Sequence, residues 1–448
     1  YYGFYSGIQP TLFDYQTNTP GWEANGVSAD PLYFNALTGN LRPTALAVDN
    51  IGADVLTFVP NDYFGAARTS TPDPGAIEFI VPNNDASVFA LLNPGKNYCP
   101  GTGTVEANIR NFGLLNLTDV LIDWEINGAP QPQVALSGMS LAQGQDTNVV
   151  LGSFNFVSGQ TYTVEAYTSQ PNNVVDEEFS NDTSVVVVNE GLSGNFTIDP
   201  NLPSGGTNFI SFNEAADTLE ARGICGPIVV EAVSGVYNEQ VEFFEVPNSS
   251  PVNTVTYRSQ SGDSTDVAIS FGPTVSTLNY VVRLNGAKYL TFEHLTMQSE
   301  GPSNYRVLEF IGGSEHNRIA NTELIGDTSI STTSTLRTVI WSQSGSGGDN
   351  YNTFEQNRIR GGSYGIYWYG SSAAGGNEVG NSFINNKIED SYFYGGRFQH
   401  QDSLVLHGND LMSESGYTST SFGYYTSNTG PGLRIEANRV VGNGEWPN

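Results

Sequence analysis

The sequence predicts an all-β protein, and three observations carry that prediction. Fifty Gly and 22 Pro are interleaved with Asn, Ser and Thr and with short Val, Ile, Tyr and Phe runs, the mixture expected of many strands joined by tight turns. Between about residues 86 and 189, apolar and polar residues alternate in strand-length runs, as in a half-buried sheet. Further on, a short frame recurs in which an apolar residue is followed three positions later by a small polar or apolar one, and two positions after that by a second apolar residue. It reads Phe292-Leu295-Met297, Ile319-Thr322-Leu324, Phe354-Asn357-Ile359, Phe383-Asn386-Ile388, Leu406-Asn409-Leu411 and Ile435-Asn438-Val440, with first positions 27, 35, 29, 23 and 29 residues apart.

A repeat of that length marks a solenoid. Its Gly, Asn and Thr content excludes a helical one, so each unit is expected to be a coil of short parallel strands stacked on the next, a parallel β-helix. At about 4.8 Å per coil, ten or so coils make a rod on the order of 50 Å long. The recurring Asn357, Asn386, Asn409 and Asn438 fit a stacked turn position, where amides hydrogen-bond along the axis and tolerate left-handed backbone. Such a ladder is structural. A second strand per unit carries rings, in VVRLNG, VLEFIGG, VIWSQSG and GIYWYGSS. Alternation assigns Leu284, Phe310, Trp341 and Trp368 to the core, and Arg283, Glu309, Ile340, Tyr367 and Tyr369 to the outer face.

Three segments precede or open that solenoid. Residues 1–82 hold short apolar pieces among turns, with too little periodicity for a core of their own. Residues 83–190 contain TVEANIRNFG, VLIDWEING, TNVVLGSFNF, TYTVEAYTS and TSVVVVNE, the strand pattern of one immunoglobulin-sized sandwich with Trp124 in its core. Residues 191–448 begin with SFNEAADTLEARG, in which Ser211 and Glu214 have capping-box spacing. Phe212, Ala215, Ala216 and Leu219 share a face there, and Gly223 ends the run. A helix over residues 211–221 is expected to cap the first coil.

Seventeen basic against 46 acidic residues leave a net charge of −29, a surface that nucleic-acid phosphates and anionic headgroups repel. No run of 18 apolar residues occurs, so no helical membrane span is expected. The chain opens on Tyr1 without a charged-then-apolar leader, and is expected to be a processed or excised piece. Cys99 and Cys225 fall in different segments, and their spacing implies no particular pairing.

The motifs ADPLYF, LRPTALAVDNIG and FGAARTSTPDPGAIEF in residues 1–82 resemble the closing coil of right-handed parallel β-helix proteins secreted by Bacteroidota. GNFTIDPNLPSGGTNFISFNEAADTLEARGICGPIVVEAVSGVYNEQVEF resembles the opening of such a helix. Between them, VEANIRNFGLLNLTDVLIDWEING and YTVEAYTSQPNNVVDEEFSNDT resemble CARDB-like immunoglobulin modules of large bacterial surface proteins. The resemblance implies an all-β chain: the terminal coils of one β-helix, an immunoglobulin-like β-sandwich spacer, then a right-handed parallel β-helix of the pectate-lyase-like solenoid kind. It further implies a fragment of a secreted, repetitive cell-surface adhesin or stalk of the gliding-adhesin sort, exported by type IX secretion, with neighbouring modules of the same chain as partners. It carries no catalytic residues.

A β-helix can also support a polysaccharide lyase or glycoside hydrolase, and a structural filament subunit is a third reading. A lyase needs clustered carboxylates holding calcium beside a base, and a hydrolase two facing carboxylates. Glu293, Glu315, Glu355, Asp390, Asp402 and Asp410 show no such pairing along the repeat, and His400 and His407 are too far apart on one strand to share a metal. Two binding sites are expected instead. Tyr367, Tyr369, Tyr392, Tyr394, Tyr424 and Tyr425 form an outward stripe for stacking on surface glycans or polysaccharide, the simpler reading being sheet-face packing. The acidic run DEEFSND offers Asp176, Glu177, Glu178 and Asp182 to calcium, the simpler reading being a solvated turn.

Overall fold

The computed structural model describes residues 26–34, 39–301, 305–328, 332–343, 348–371, 376–412 and 422–442, with the backbone of 3–4 and 8–9. The chain forms two compact units, Tyr1–Asn189 and Glu190–Asn448.

In the first unit the alternating runs become a two-sheet sandwich. Strands β1 (Ala86–Asn93), β2 (Gly101–Asn111) and β4 (Asp146–Phe156) pair antiparallel in one sheet. In the other, β5 (Thr161–Ser169) lies between β3 (Val120–Ile126) and β6 (Thr183–Glu190). The period of two decides what is buried: β3 turns Val120, Ile122, Trp124 and Ile126 inward and leaves the residues between them partly exposed. Trp124 is buried, and its indole N–H donates to the Pro132 carbonyl at 2.9 Å. Gly152 on β4 gives the ring its space, since a Cβ there would stand 2.7 Å from Trp124 Cζ2.

Residues 26–34 and 39–82 of this unit are largely irregular and are organised by side chains. Asp73 accepts from the amides of Asn50 (2.6 Å) and Phe79 (2.7 Å). Arg68 donates to Glu78 Oε1 at 2.7 Å and to the carbonyls of Asp73 and Gly75. The TSTPDPGAIEF stretch is thus knotted around a buried Arg68 and Asp73, which supplies polar partners where no regular ladder does. Arg42 and Gln143 tie it to the sandwich, through Glu178 at 2.7 Å and the Thr44 carbonyl at 3.1 Å.

The second unit opens with α1 (Phe212–Arg222), capped by Ser211, whose Oγ accepts from the Glu214 amide at 3.0 Å. The Glu214 carboxylate reaches back to the Ile210 amide rather than to the cap residue's own, and Glu239 takes the amides of Phe212 and Asn213. The four apolar residues read from the sequence are all buried, with Phe212 against Tyr237 at 5.1 Å. Beyond the helix the chain winds through three sheets of parallel strands, the parallel β-helix that the repeat predicts. The frame spans one corner of each coil: Phe292, Ile319, Phe354, Phe383, Leu406 and Ile435 are in register in the first sheet, and Met297, Leu324, Ile359, Ile388, Leu411 and Val440 in the second. Stacked rings fill the centre, with Phe354 and Phe383 4.7 Å apart and parallel within 1°.

At that corner the Asn side chains bond along the axis. Each Nδ2 donates to the next Oδ1 at 3.0 Å, from Asn357 to Asn386 to Asn409 to Asn438. The same Oδ1 atoms accept the backbone N–H of the preceding rung at 2.9–3.0 Å, and each Nδ2 also reaches a carbonyl of the coil before, as Asn386 does to Phe354 at 2.9 Å. A second ladder, missed in the sequence, runs through Asn317, Asn352 and Asn381. The left-handed residues are not the ladder Asn but those just before them, His294, Asn321, Gln356, Asn385, Gly408 and Ala437. That turn swings the following amide inward beneath the carbonyls. Asn386 is 1% exposed, so Asn386→Ala orphans three neighbours and is expected to cost about 2–4 kcal/mol in chemical denaturation of this unit. Asn438→Ala, at the half-buried end of the ladder, should cost less.

Candidate functional site

The outer face of the third sheet changes character along the axis. Its strands Val282–Asn285, Tyr305–Ile311, Arg337–Gln343, Tyr364–Tyr369, Tyr394–Asp402 and Phe422–Thr429 align Arg283, Glu309, Trp341, Tyr367, Arg397 and Tyr425 in one column. Trp341 therefore belongs to the outer face and Ile340 to the core, the reverse of the sequence expectation. Val339 and Ile340 are both in the core, as Val307 and Leu308 are one coil earlier, and the pairing register omits Val307 and Val339, which shifts the alternation by one place.

The early coils of this face are ionic. Both carboxylate oxygens of buried Glu309 are taken, by Arg283 at 2.5 Å and by Arg306, and the Arg306 guanidinium lies 3.5 Å from the Trp341 ring centre. Rings follow: Tyr364 and Tyr394 are near-parallel at 5.7 Å, and Tyr367 and Tyr369 at 6.2 Å. Tyr367 is buried in this satellite cluster, and burial holds its phenol above the ordinary value. Tyr369, Tyr392 and Tyr394 are half-buried and Tyr425 is exposed. Tyr424 points the other way and packs on Phe398 in the core, so it leaves the stripe because alternation sends it and Tyr425 to opposite faces. Arg397, which the sequence reading passed over, has its guanidinium 5.4 Å from the rings of both Tyr367 and Tyr425. It donates to Gln399 at 2.8 Å, and Gln399 donates to Ser427 at 2.7 Å.

The acidic run does not act as a unit. Glu177 accepts from the Asn83 amide and from the Asn84 side chain, while Glu178 pairs with Arg42 and Ser180. Asp176 and Asp182 instead meet Asp85, which stands just before β1, with one oxygen from each within 4.8 Å of the others and all three residues buried. Burial and mutual repulsion push Asp85 up to about 7 and Asp182 up to about 8. Asp85 gave no sequence signal, because it lies 91 residues before Asp176.

The acids weighed as catalysts in the β-helix are engaged. Glu293 and Glu355 pair with Arg318, Asp390 with Arg360 and Asp410 with Arg439; Glu315 accepts from Asn350, and Asp402 from Asn377. His400 is on the third sheet and His407 on the first. Asp349 is fully buried inside the coils, and it accepts from Ser342 Oγ at 2.7 Å and the Ser314 amide at 2.8 Å. Burial, with Glu378 beside it, raises it from 3.8 to about 7. Between those values the unfolded chain releases a proton that the native state keeps, so stability falls as pH rises through that window and levels off above it. Asp349→Asn should remove most of this slope in melts from acid to mildly alkaline pH, and stabilise the chain on the order of 3 kcal/mol above pH 7.

These features define an immunoglobulin-like β-sandwich and a parallel β-helix on one chain. No protein-family profile and no curated protein matches the sequence. Among solved structures, a CARDB domain from Pyrococcus furiosus in complex with di-metal ions is similar at 16% identity, covering 26% of this chain and 100% of that one with a TM-score of 0.22. A domain of a putative cell surface protein from Methanosarcina acetivorans matches at 21% identity over 24% of this chain and 91% of its own, TM-score 0.21. The β-helix resembles the pectin methylesterase of Aspergillus niger, at 13% identity over 56% of this chain and 91% of that one, TM-score 0.28.

Proposed function

We propose that this chain is a segment of a large secreted, repetitive cell-surface protein, and that its β-helix attaches to acidic glycans through the outer face of the third sheet. One observation carries the reading. Among the described residues of a chain with net charge −29, Arg397 has no carboxylate partner, and it is held by Gln399 between the rings of Tyr367 and Tyr425. A guanidinium fixed in that way suits the carboxylate or sulfate of a polysaccharide. The exposed ring of Tyr425 and the half-buried rings of Tyr369, Tyr392 and Tyr394 offer apolar contact to the sugar C–H faces. The reading of the first segment as the final coils of a preceding module is supported by its described residues Phe58, Tyr63, Phe64 and Ile80, which stand exposed as a surface for neighbouring chain would.

Immobilised uronate and neutral polysaccharide columns test this. The chain should be retained by the uronate and released by salt, because exposed ionic contacts are screened. Arg397→Gln and Tyr425→Ala should each weaken retention by about tenfold, with the melting temperature nearly unchanged. Release of new reducing ends or unsaturated sugars would instead favour a polysaccharide lyase or hydrolase. No retention on any glycan would favour a purely structural stalk.

A further inference from the structure

The three carboxylates of the first unit lack what a native interior normally supplies to buried charge. Asp85, Asp176 and Asp182 are 1%, 3% and 8% exposed, and each gives an oxygen to a cluster within 4.8 Å. The nearby guanidinium of Arg42 is committed to Glu178. Asp176 has some compensation, from the amides of Ala86 at 3.0 Å and Glu178 at 2.8 Å, and Asp85 Oδ1 accepts from the Asn181 side chain at 2.9 Å. Among the described residues, Asp182 Oδ1 has no hydrogen-bond partner, and neither does the Asn181 side-chain carbonyl. Burying an ionised carboxylate without a partner is costly, and such groups are normally paired or bound to metal.

Backbone bonds fix this arrangement before any ligand arrives. The Asp182 carbonyl accepts from the amides of Val88 and Thr168, both at 3.2 Å, and Ser87 Oγ donates to the Asn181 carbonyl at 2.5 Å. The Asp85 carbonyl accepts from the amides of Phe112 and Gly113. The carboxylates are thus held by β1 and by the connection from β5 to β6, elements that cannot move apart without breaking the sandwich.

We propose that Asp85, Asp176 and Asp182 bind one divalent cation, calcium in preference to magnesium. An oxygen separation of up to 4.8 Å is what two ligands on opposite sides of a calcium ion span, at about 2.4 Å each. Three carboxylates with a neighbouring amide carbonyl suit a flexible shell of six to eight oxygens, whereas magnesium keeps several waters and takes one or two carboxylates. The ion offsets two of the cluster's three negative charges and cross-links the β5–β6 connection to the first strand. Glu177 and Glu178, turned to other partners, stand outside the site.

Calorimetric titration of calcium chloride into the chelator-stripped full chain tests the assignment, with thermal melts alongside. One ion should bind per chain, and saturating calcium should raise the melting temperature of the first unit by about 5 °C. Asp182→Asn and Asp85→Asn should each weaken binding by about tenfold or more, and Glu177→Gln should leave it unchanged. Circular dichroism of each variant separates lost binding from lost folding. The absence of both binding heat and a melting shift from the wild-type chain at millimolar calcium would overturn the proposal. So would a Glu177→Gln loss equal to that of Asp182→Asn, and an equal response to magnesium would overturn the calcium preference.

Discussion

The second unit depends on how each coil satisfies its polar groups at the corner. A parallel strand of three residues cannot hold its place alone; Thr353–Glu355, Arg358–Arg360 and Ser382–Ile384 are all that short. The chain must reverse direction between them, and at each reversal backbone N–H and C=O groups turn toward a dry interior, where an unmet group costs more than the strand gains. Asn side chains meet that demand from both sides. The amide nitrogen serves the carbonyl behind it, the amide oxygen serves the backbone N–H of the coil before, and the amides bond to each other along the axis. Because each rung serves the N–H and a carbonyl of the coil before it, and gives its own N–H and amide nitrogen to the rung after it, a coil is complete only when it has neighbours.

That constraint releases the surface. With the corners fixed by Asn and the interior by stacked Phe, Ile and Leu, the outward positions of each strand are free to carry charge, rings or amides without endangering the fold. The third sheet uses this freedom most, passing from the Arg283, Glu309 and Arg306 network through Trp341 and the tyrosines to Arg397. The first unit places its chemistry differently. Its carboxylates sit where an irregular connection meets the first strand, and strain there is carried by electrostatics rather than by packing.

How much of this was legible depends on the range of each interaction. The Phe354-Asn357-Ile359 frame was readable because one corner imposes one residue type at a fixed offset, and Ser211 and Glu214 were readable because a cap is local. The column of Trp341 was not, since two successive core residues, Val339 and Ile340, leave no mark in a two-residue period. The left-handed residue was placed one position late: the amide that forms the ladder and the backbone that aims it are adjacent, and sequence shows only the amide. Asp176 and Asp182 were visible in an acidic run, while Asp85 and Arg397 gain their meaning from partners far along the chain.

The central claim is that the Asn ladder, and not the strands alone, holds the coils together. Hydrogen–deuterium exchange followed by mass spectrometry reaches it directly, because the amides of Asn357, Asn386 and Asn409 donate to ladder oxygens rather than to a strand neighbour. Peptides carrying these amides should exchange among the slowest in residues 190–448, opening only with the whole unit. Exchange as fast as in the exposed Ser276–Leu278 turn would contradict the account.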